Sequence, residues 1–227
     1  MISEEMIRVQ EQTTRRFITK VYAWMTLALI ITGLSALWVV SSPLLLNLIF
    51  GGRFVFIGLL IAELVLVVYL SRKVFEMPSA MAKFWFVIYA VLNGITLSSL
   101  LLTYNIATVG YAFLVTATLF GVMSLYGYFT KTDLTAIGNL FMMGLVGLII
   151  ATVFNVFYQS SGLSLALTYI GVFLFIGLIG YDTQRIKSLS YSSEKGIQAN
   201  GSIMGAMILY LDFINLFIRL VRLLGRR

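Results

Sequence analysis

The sequence contains no cysteine and no histidine, and only 11% of its 227 residues are charged. Without cysteine there are no disulfide bonds and no thiolate ligands for a metal ion. Without histidine the chain lacks the commonest side chain that changes charge near neutral pH, so titrating chemistry falls to carboxylates, lysine or tyrosine. Soluble domains carry about 25% charged residues, and so low a content argues that lipid surrounds this chain.

Hydrophobic residues make up 60% of the sequence and fall into long runs. A membrane-crossing helix needs about 20 such residues, so seven helices with short loops use nearly the whole chain. We therefore predict an all-α integral membrane protein with a polar loop at about 185–201. The predicted spans are residues 21–40, 54–70, 84–103, 110–129, 137–157, 165–184 and 202–223.

Lysine and arginine positions set the expected orientation. Residues 1–20 are predicted to form a cytoplasmic N-terminal tail, 21–224 the seven-helix transmembrane domain and 225–227 a short basic C-terminal tail. With the N-terminus inside, eleven Lys or Arg residues lie in cytoplasmic segments and five lie outside, as the positive-inside rule favours. A re-entrant last segment stays an alternative, because four of those five are near the C-terminus: Arg219, Arg222, Arg226 and Arg227.

Three acids lie inside the predicted apolar spans: Glu63, Asp182 and Asp212. A charge near the bilayer centre costs at least about 2.5 kcal/mol on insertion scales. Residues kept at that cost usually face a bundle interior or a water-filled cavity, where they mark ion paths or proton relays. These three are therefore the candidate functional residues.

Asp182 and Asp212 lie on successive predicted helices that are expected to be neighbours. If the two carboxyl groups meet, they cannot easily both ionise, and the pair can share one proton and sense pH without histidine. Asn215 and Arg219 continue a polar stripe from Asp212 and are candidates for an ion path. Two alternatives stay open: an Asp212–Arg219 pair that only packs the bundle, and an Asp182 side chain that extends to the membrane surface.

Glu63 is followed by two basic residues at the end of the same predicted span, Arg72 and Lys73. A long basic side chain at this point could reach an acid in the bundle and close a conduit. Protonating the acid would then weaken the contact and open it. Either Arg72 or Lys73 could therefore act as a gating latch.

Two stretches carry a family resemblance: GYDTQRIK at 180–187 and, more specifically, LYLDFINLF at 209–217. Segments 93–99 (NGITLSS) and 124–131 agree with it. On these residues the chain resembles the transmembrane Bax inhibitor motif family, in particular its bacterial inner-membrane members, over essentially its whole length. The expected location is therefore the cell inner (plasma) membrane.

The resemblance implies seven helices, six of them around a central C-terminal helix, and a pH-sensitive calcium leak across the membrane. It implies that Asp182 and Asp212 form the pH-sensing dyad and contact calcium transiently, that a basic residue matching Arg72 is the latch, and that Glu63 lies near the ion path. The expected partners are calcium ions, protons and the lipid bilayer, with other membrane proteins as candidates. A monomer is expected, with no cofactor, no nucleic acid and no catalytic residue.

Three other functions compete with the channel. Two aspartates on adjacent helices are also found in intramembrane aspartyl proteases, but Leu209–Asp212 lacks their Gly-x-Gly-Asp signature, and no Pro-Ala-Leu motif is present. A proton-coupled cation/H+ antiporter would use the same acids, although no repeat with broken helices is evident. A non-conducting regulator that binds other membrane proteins is the third alternative.

Overall fold

The computed structural model describes residues 4–192 and 194–225, and every regular element in these residues is an α-helix. The helices, in chain order, are α1 (Glu4–Ser41), α2 (Pro43–Phe50), α3 (Arg53–Lys73), α4 (Ser79–Thr103), α5 (Ile106–Phe129), α6 (Thr135–Tyr158), α7 (Ser161–Leu189) and α8 (Lys195–Leu224). Seven of them, all but α2, are long and apolar enough to cross a membrane. The predicted all-α membrane fold is confirmed, with each predicted span lying inside one of these helices.

The predicted loop at 185–201 is wrong for most of its length. Helix α7 continues to Leu189 and α8 begins at Lys195, so only a short connection separates them. Polar residues end a hydropathy signal, but they do not end the hydrogen-bonded helix. Helix α8 runs unbroken over 30 residues, about 45 Å, which leaves no turn for the re-entrant alternative.

The ends of the chain differ in part from the predicted tails. Helix α1 begins at Glu4, so the predicted N-terminal tail from that residue onward is helical and continuous with the first span. At the other end, Gly225 closes the last turn of α8 through a hydrogen bond from its N–H to the Val221 carbonyl at 2.8 Å. Arg226 and Arg227 of the predicted basic tail lie outside the described residues.

The chain divides into two compact units. The first contains the described residues through Thr103 together with Ser188–Tyr210, and the second contains Tyr104–Lys187 together with Leu211 onward. The first unit is organised around Tyr210, which is fully buried. Its hydroxyl pairs with the Thr32 hydroxyl at 2.7 Å, and Thr32 also donates to the Ala90 carbonyl at 3.0 Å. These bonds join α1, α4 and the first half of α8.

The second unit brings α5 and α7 into backbone contact at two glycines. A Cβ atom added at Gly127 would collide with the Gly180 carbonyl, so neither helix could come this close with a larger residue at Gly127. Small residues permit such approach where no hydrophobic effect drives lipid-embedded helices together. The contact fixes the height of α7 two residues before Asp182.

Helix α8 is the most buried of the seven long helices in the described chain. In its most apolar 18-residue window 67% of the residues are buried, against at most 39% in the other six. Burial of this extent suits a helix that carries an acid. The arrangement of six helices around this one stays a prediction.

Replacing Gly127 with alanine is expected to lower the free energy of unfolding by about 1–3 kcal/mol. The new methyl group overlaps the Gly180 backbone and pushes α5 away from α7. The measurement is the midpoint of thermal unfolding in detergent micelles. Gly121 lies on the same helix with no atom within 4 Å of an added Cβ, so Gly121→Ala is the matched control. An equal loss in both variants would contradict the proposed contact.

Candidate functional site

The second unit places the carboxyl groups of Asp182 and Asp212 in contact. Asp182 lies on α7 and Asp212 on α8, each residue is only 6% exposed, and the two carboxyl groups are close enough to interact directly. Two buried carboxyl groups at such range repel each other when both are ionised, which favours a proton on one of them. The structure thus brings together the two acids that the sequence singled out, and the pair can hold one proton in common.

Buried oxygen atoms without partners are found in the same unit. Asp212 Oδ2, Thr183 Oγ1 and Ser124 Oγ are buried and have no hydrogen-bond partner among the described residues. Thr183 follows Asp182 directly, and Ser124 lies on α5 three residues before Gly127. Buried polar atoms are normally satisfied, and exceptions point to strain, function, or an ion or water that the protein accommodates.

A cation that the sequence interpretation had assigned to a loop acts on this pair. Because α7 continues to Leu189, Arg185 lies one helical turn beyond Asp182, and its positive charge acts on the Asp182 carboxyl. Arg185 is itself exposed. The spacing of three residues is the signal that could have identified it, since such residues share a helix face once the helix is known to continue.

The polar residues that follow Asp182 anchor the end of α7. Gln184 accepts a hydrogen bond from the Leu134 N–H at 2.9 Å and donates to the Thr132 carbonyl at 2.8 Å. Lys187 donates to the Tyr128 carbonyl at 2.9 Å, and its ammonium lies 4.7 Å from the centre of the Tyr128 ring. These bonds tie α7 to both ends of the α5–α6 connection and so hold Asp182 at a defined height and rotation.

Asn215 and Arg219 do not join the carboxyl pair. Asn215 donates to the Leu211 carbonyl of its own helix at 2.8 Å. Arg219 donates to the Leu167 carbonyl on α7 at 3.0 Å, its guanidinium lies over the Phe175 ring, and it has no carboxylate partner among the described residues. The alternative of an Asp212–Arg219 packing pair is therefore wrong, and a role for either residue in an ion path stays a prediction.

Glu63, in the first unit, is held by a threonine of the neighbouring helix. The Thr96 hydroxyl of α4 donates to Glu63 Oε1 at 2.7 Å, and Glu63 is half-buried. Thr96 belongs to the NGITLSS stretch on which part of the family resemblance depends. The polar character of that stretch therefore has a structural counterpart, a hydrogen-bond donor for an acid inside an apolar span.

The two latch candidates at the end of α3 differ in their surroundings. Lys73 forms an ion pair with Glu76 at 2.6 Å, and both side chains are exposed. Arg72 is also exposed, in the same last turn of α3. Since Lys73 already neutralises a nearby acid, Arg72 is the better candidate for a contact elsewhere, and the latch role of either residue stays a prediction.

The site offers few ligands for a resident metal ion. Within the described residues no group of three or more Asp, Glu, His or Cys side chains could hold a metal. Calcium takes six to eight oxygen ligands, of which Asp182 and Asp212 supply only a part. Transient contact of the pair with calcium stays a prediction.

Comparison with known proteins gives one family throughout. A family model described as "Inhibitor of apoptosis-promoting Bax1" matches residues 14–227. The inner membrane protein YbhL of Escherichia coli is 42% identical over 214 residues, covering 93% of this chain and 92% of its own. An uncharacterized protein of Rickettsia prowazekii is 43% identical, covering 96% and 92%, and an uncharacterized membrane protein of Streptococcus pyogenes is 37% identical, covering 80% and 79%. None of these names is that of an enzyme.

Stability is expected to fall with rising pH in the wild-type protein and to depend less on pH in Asp212→Asn. A folded pair that holds a proton near neutral pH, where the aspartates of the unfolded chain are already ionised, is favoured by low pH, so raising the pH favours unfolding, by at most about 1.4 kcal/mol for each pH unit. An amide at position 212 donates without that proton. The measurement is the thermal unfolding midpoint in detergent between pH 6 and 9.

Asp133→Asn is the control for this experiment. Asp133 is an exposed acid of the same unit, and hydrogen bonds from Thr135 lower the pKa of its carboxyl, so it stays ionised over the whole pH range. Its removal should leave the wild-type pH dependence intact. A pH dependence that survives in Asp212→Asn would show that the pair does not share a proton.

Proposed function

This chain belongs to the Bax inhibitor family, and on that premise we propose that it is a pH-sensitive, calcium-permeable leak channel gated by Asp182 and Asp212. The observation that carries the proposal is the close approach of these two buried carboxyl groups on α7 and α8. The membrane location has support from the seven apolar helices and from a relative named as an inner membrane protein. The identity of the ion, the pH response and the gate belong to the proposal.

The energetic cost of the pair supports a role beyond packing. Acids inside membrane spans are costly, and apolar residues of similar size would pack two helices with no such cost. A carboxyl pair is useful where protons must be bound and released. The burial of the pair and the partnerless Asp212 Oδ2 support a site that exchanges a proton or an ion.

Calcium is the cation that the chemistry of the pair favours. It is a hard ion that prefers oxygen ligands, carboxylates above all, and a deprotonated pair presents two of them. Protonation removes that attraction. If the pKa of the pair differs by one unit between the closed and open states, releasing one proton changes the ratio of these states about tenfold. The pair therefore biases the gate gradually and does not switch it fully.

Arg72 is the proposed latch and Glu63 a proposed element of the ion path. The ion pair of Lys73 with Glu76 supports the choice of Arg72 over its neighbour. Arg185 lies one helical turn from Asp182, so its positive charge is a further influence on the pair. Any pH response is therefore set by this charge together with the proton that the two acids share.

The test is calcium flux into liposomes. Protein reconstituted with an internal calcium dye is expected to pass calcium at a rate that changes by up to about tenfold for each pH unit between pH 6 and 8. Asp182→Asn and Asp212→Asn should lose that pH dependence. Arg72→Gln should raise flux at the high end of this pH range, where the acids are ionised and the latch is closed. The adjacent control Lys73→Gln should behave as the wild type.

The same experiment separates the other functions. Flux that requires a proton gradient and moves protons in fixed ratio to calcium would replace the leak channel with a cation/H+ antiporter, which uses the same pair. Flux no greater than that of empty liposomes at every pH would overturn the channel and favour a non-conducting regulator of other membrane proteins.

A further inference from the structure

The first unit contains a second feature that the proposed function does not use, a cavity of about 490 Å³. Its walls come from α1, from the start of α4, and from the α7–α8 connection with the start of α8. Three cations line it, Arg16, Lys20 and Lys83, and no acid is among its lining residues. None of the three has a carboxylate within salt-bridge distance in the described part of the chain.

The three cations are exposed side chains that line the same cavity from two helices. Arg16, Lys20 and Trp24 follow each other at intervals of four residues, so they share one face of α1. Lys83 approaches from α4, with its ammonium 5.6 Å from the centre of the Trp24 ring. Three like charges on a shared cavity repel one another, and a bound anion relieves that repulsion.

Hydrogen bonds hold the walls of this cavity in place. The Thr14 and Ser190 hydroxyls pair at 2.9 Å and join α1 to the end of α7. The fully buried Asn200 donates to the Val74 and Met77 carbonyls at 2.6 and 2.7 Å, which fixes α8 against the α3–α4 connection. The cavity is therefore a formed site, and a ligand would not have to order it.

Its lining also matches the chemistry of a phosphate ester. Ser192, Gln198 and Ser202 also line the cavity, and phosphate oxygens accept hydrogen bonds from hydroxyl and amide groups such as theirs. Apolar side chains complete the wall, including Phe17 and Ile197. A ligand that fills this cavity thus carries negative charge at one point and has carbon-rich parts beside it.

The position of the cavity along the helices identifies the source of that phosphate. The apolar run of α1 begins at Val21, between Lys20 and Trp24, and that of α4 begins at Phe84, directly after Lys83. The cations therefore stand where the apolar segments begin, at the depth of lipid headgroups, where tryptophan is also enriched. Basic pockets between membrane helices at this depth bind anionic headgroups.

We propose that this cavity binds the phosphate headgroup of an anionic phospholipid, held by Arg16, Lys20 and Lys83. The proposal does not depend on the channel function, because it concerns the other unit and is tested by lipid binding instead of flux. Each cation near an anionic lipid surface strengthens binding about fivefold, so the three together are expected to contribute about a hundredfold.

The test compares lipids on purified full-length protein in detergent micelles. Phosphatidylglycerol, phosphatidylcholine and soluble glycerol phosphate are titrated, and binding is followed by native mass spectrometry and by the thermal unfolding midpoint. Phosphatidylglycerol is expected to bind at least about tenfold more tightly than phosphatidylcholine, whose phosphate is offset by its own ammonium group. Glycerol phosphate should bind far more weakly, because it has no acyl chains.

The variant Arg16→Gln/Lys20→Gln/Lys83→Gln removes the three cations, and Arg8→Gln/Arg15→Gln/Lys131→Gln removes three exposed cations outside the cavity lining. The preference for phosphatidylglycerol should disappear in the first variant and persist in the second. Lys83→Gln alone, with an expected loss of about fivefold, covers the case in which the triple variant does not fold. Equal losses in both triple variants, no preference between the lipids, or glycerol phosphate binding as tightly as phosphatidylglycerol would overturn the proposal.

Discussion

Lipid offers a carboxyl group no hydrogen bond, so an acid inside a membrane span must find its partner within the protein. For Asp182 and Asp212 that partner is the other acid. Their contact requires two helices to approach at one height and with one rotation. The contact of Gly127 with Gly180 and the bonds from Gln184 to the α5–α6 connection meet this requirement for α7.

The spans could be predicted because the bilayer imposes a length and a composition on every helix that crosses it. Helix ends follow a different rule, since backbone hydrogen bonds continue for as long as no residue breaks them. Arg185 and Lys187 are polar and were placed in a loop, yet both lie on α7. Helix α2, with eight residues after Ser42, is too short to give a spanning signal and was not predicted.

The acids of the candidate site could be predicted, because burying a charge in a membrane span is costly. That cost singles out Asp182, Asp212 and Glu63 without any alignment, but it does not say which groups stabilise them. Thr96 as the donor to Glu63 depends on how α3 and α4 are rotated, which hydropathy does not encode. Arg219 shows the same limit, because its long side chain reaches a carbonyl on α7 rather than the acid on its own helix.

The net charge of +7 sets a problem for a protein proposed to pass a divalent cation. A positive potential at a membrane face lowers the local concentration of calcium and slows its entry. Lipid phosphates that bind Arg16, Lys20 and Lys83 offset three of these charges without removing them from the chain. Screening by salt also limits the influence of basic residues farther than about 8 Å away from a permeant ion. A basic surface and acids inside the spans are therefore compatible with the proposed cation conduction when anionic lipid is bound to the basic residues.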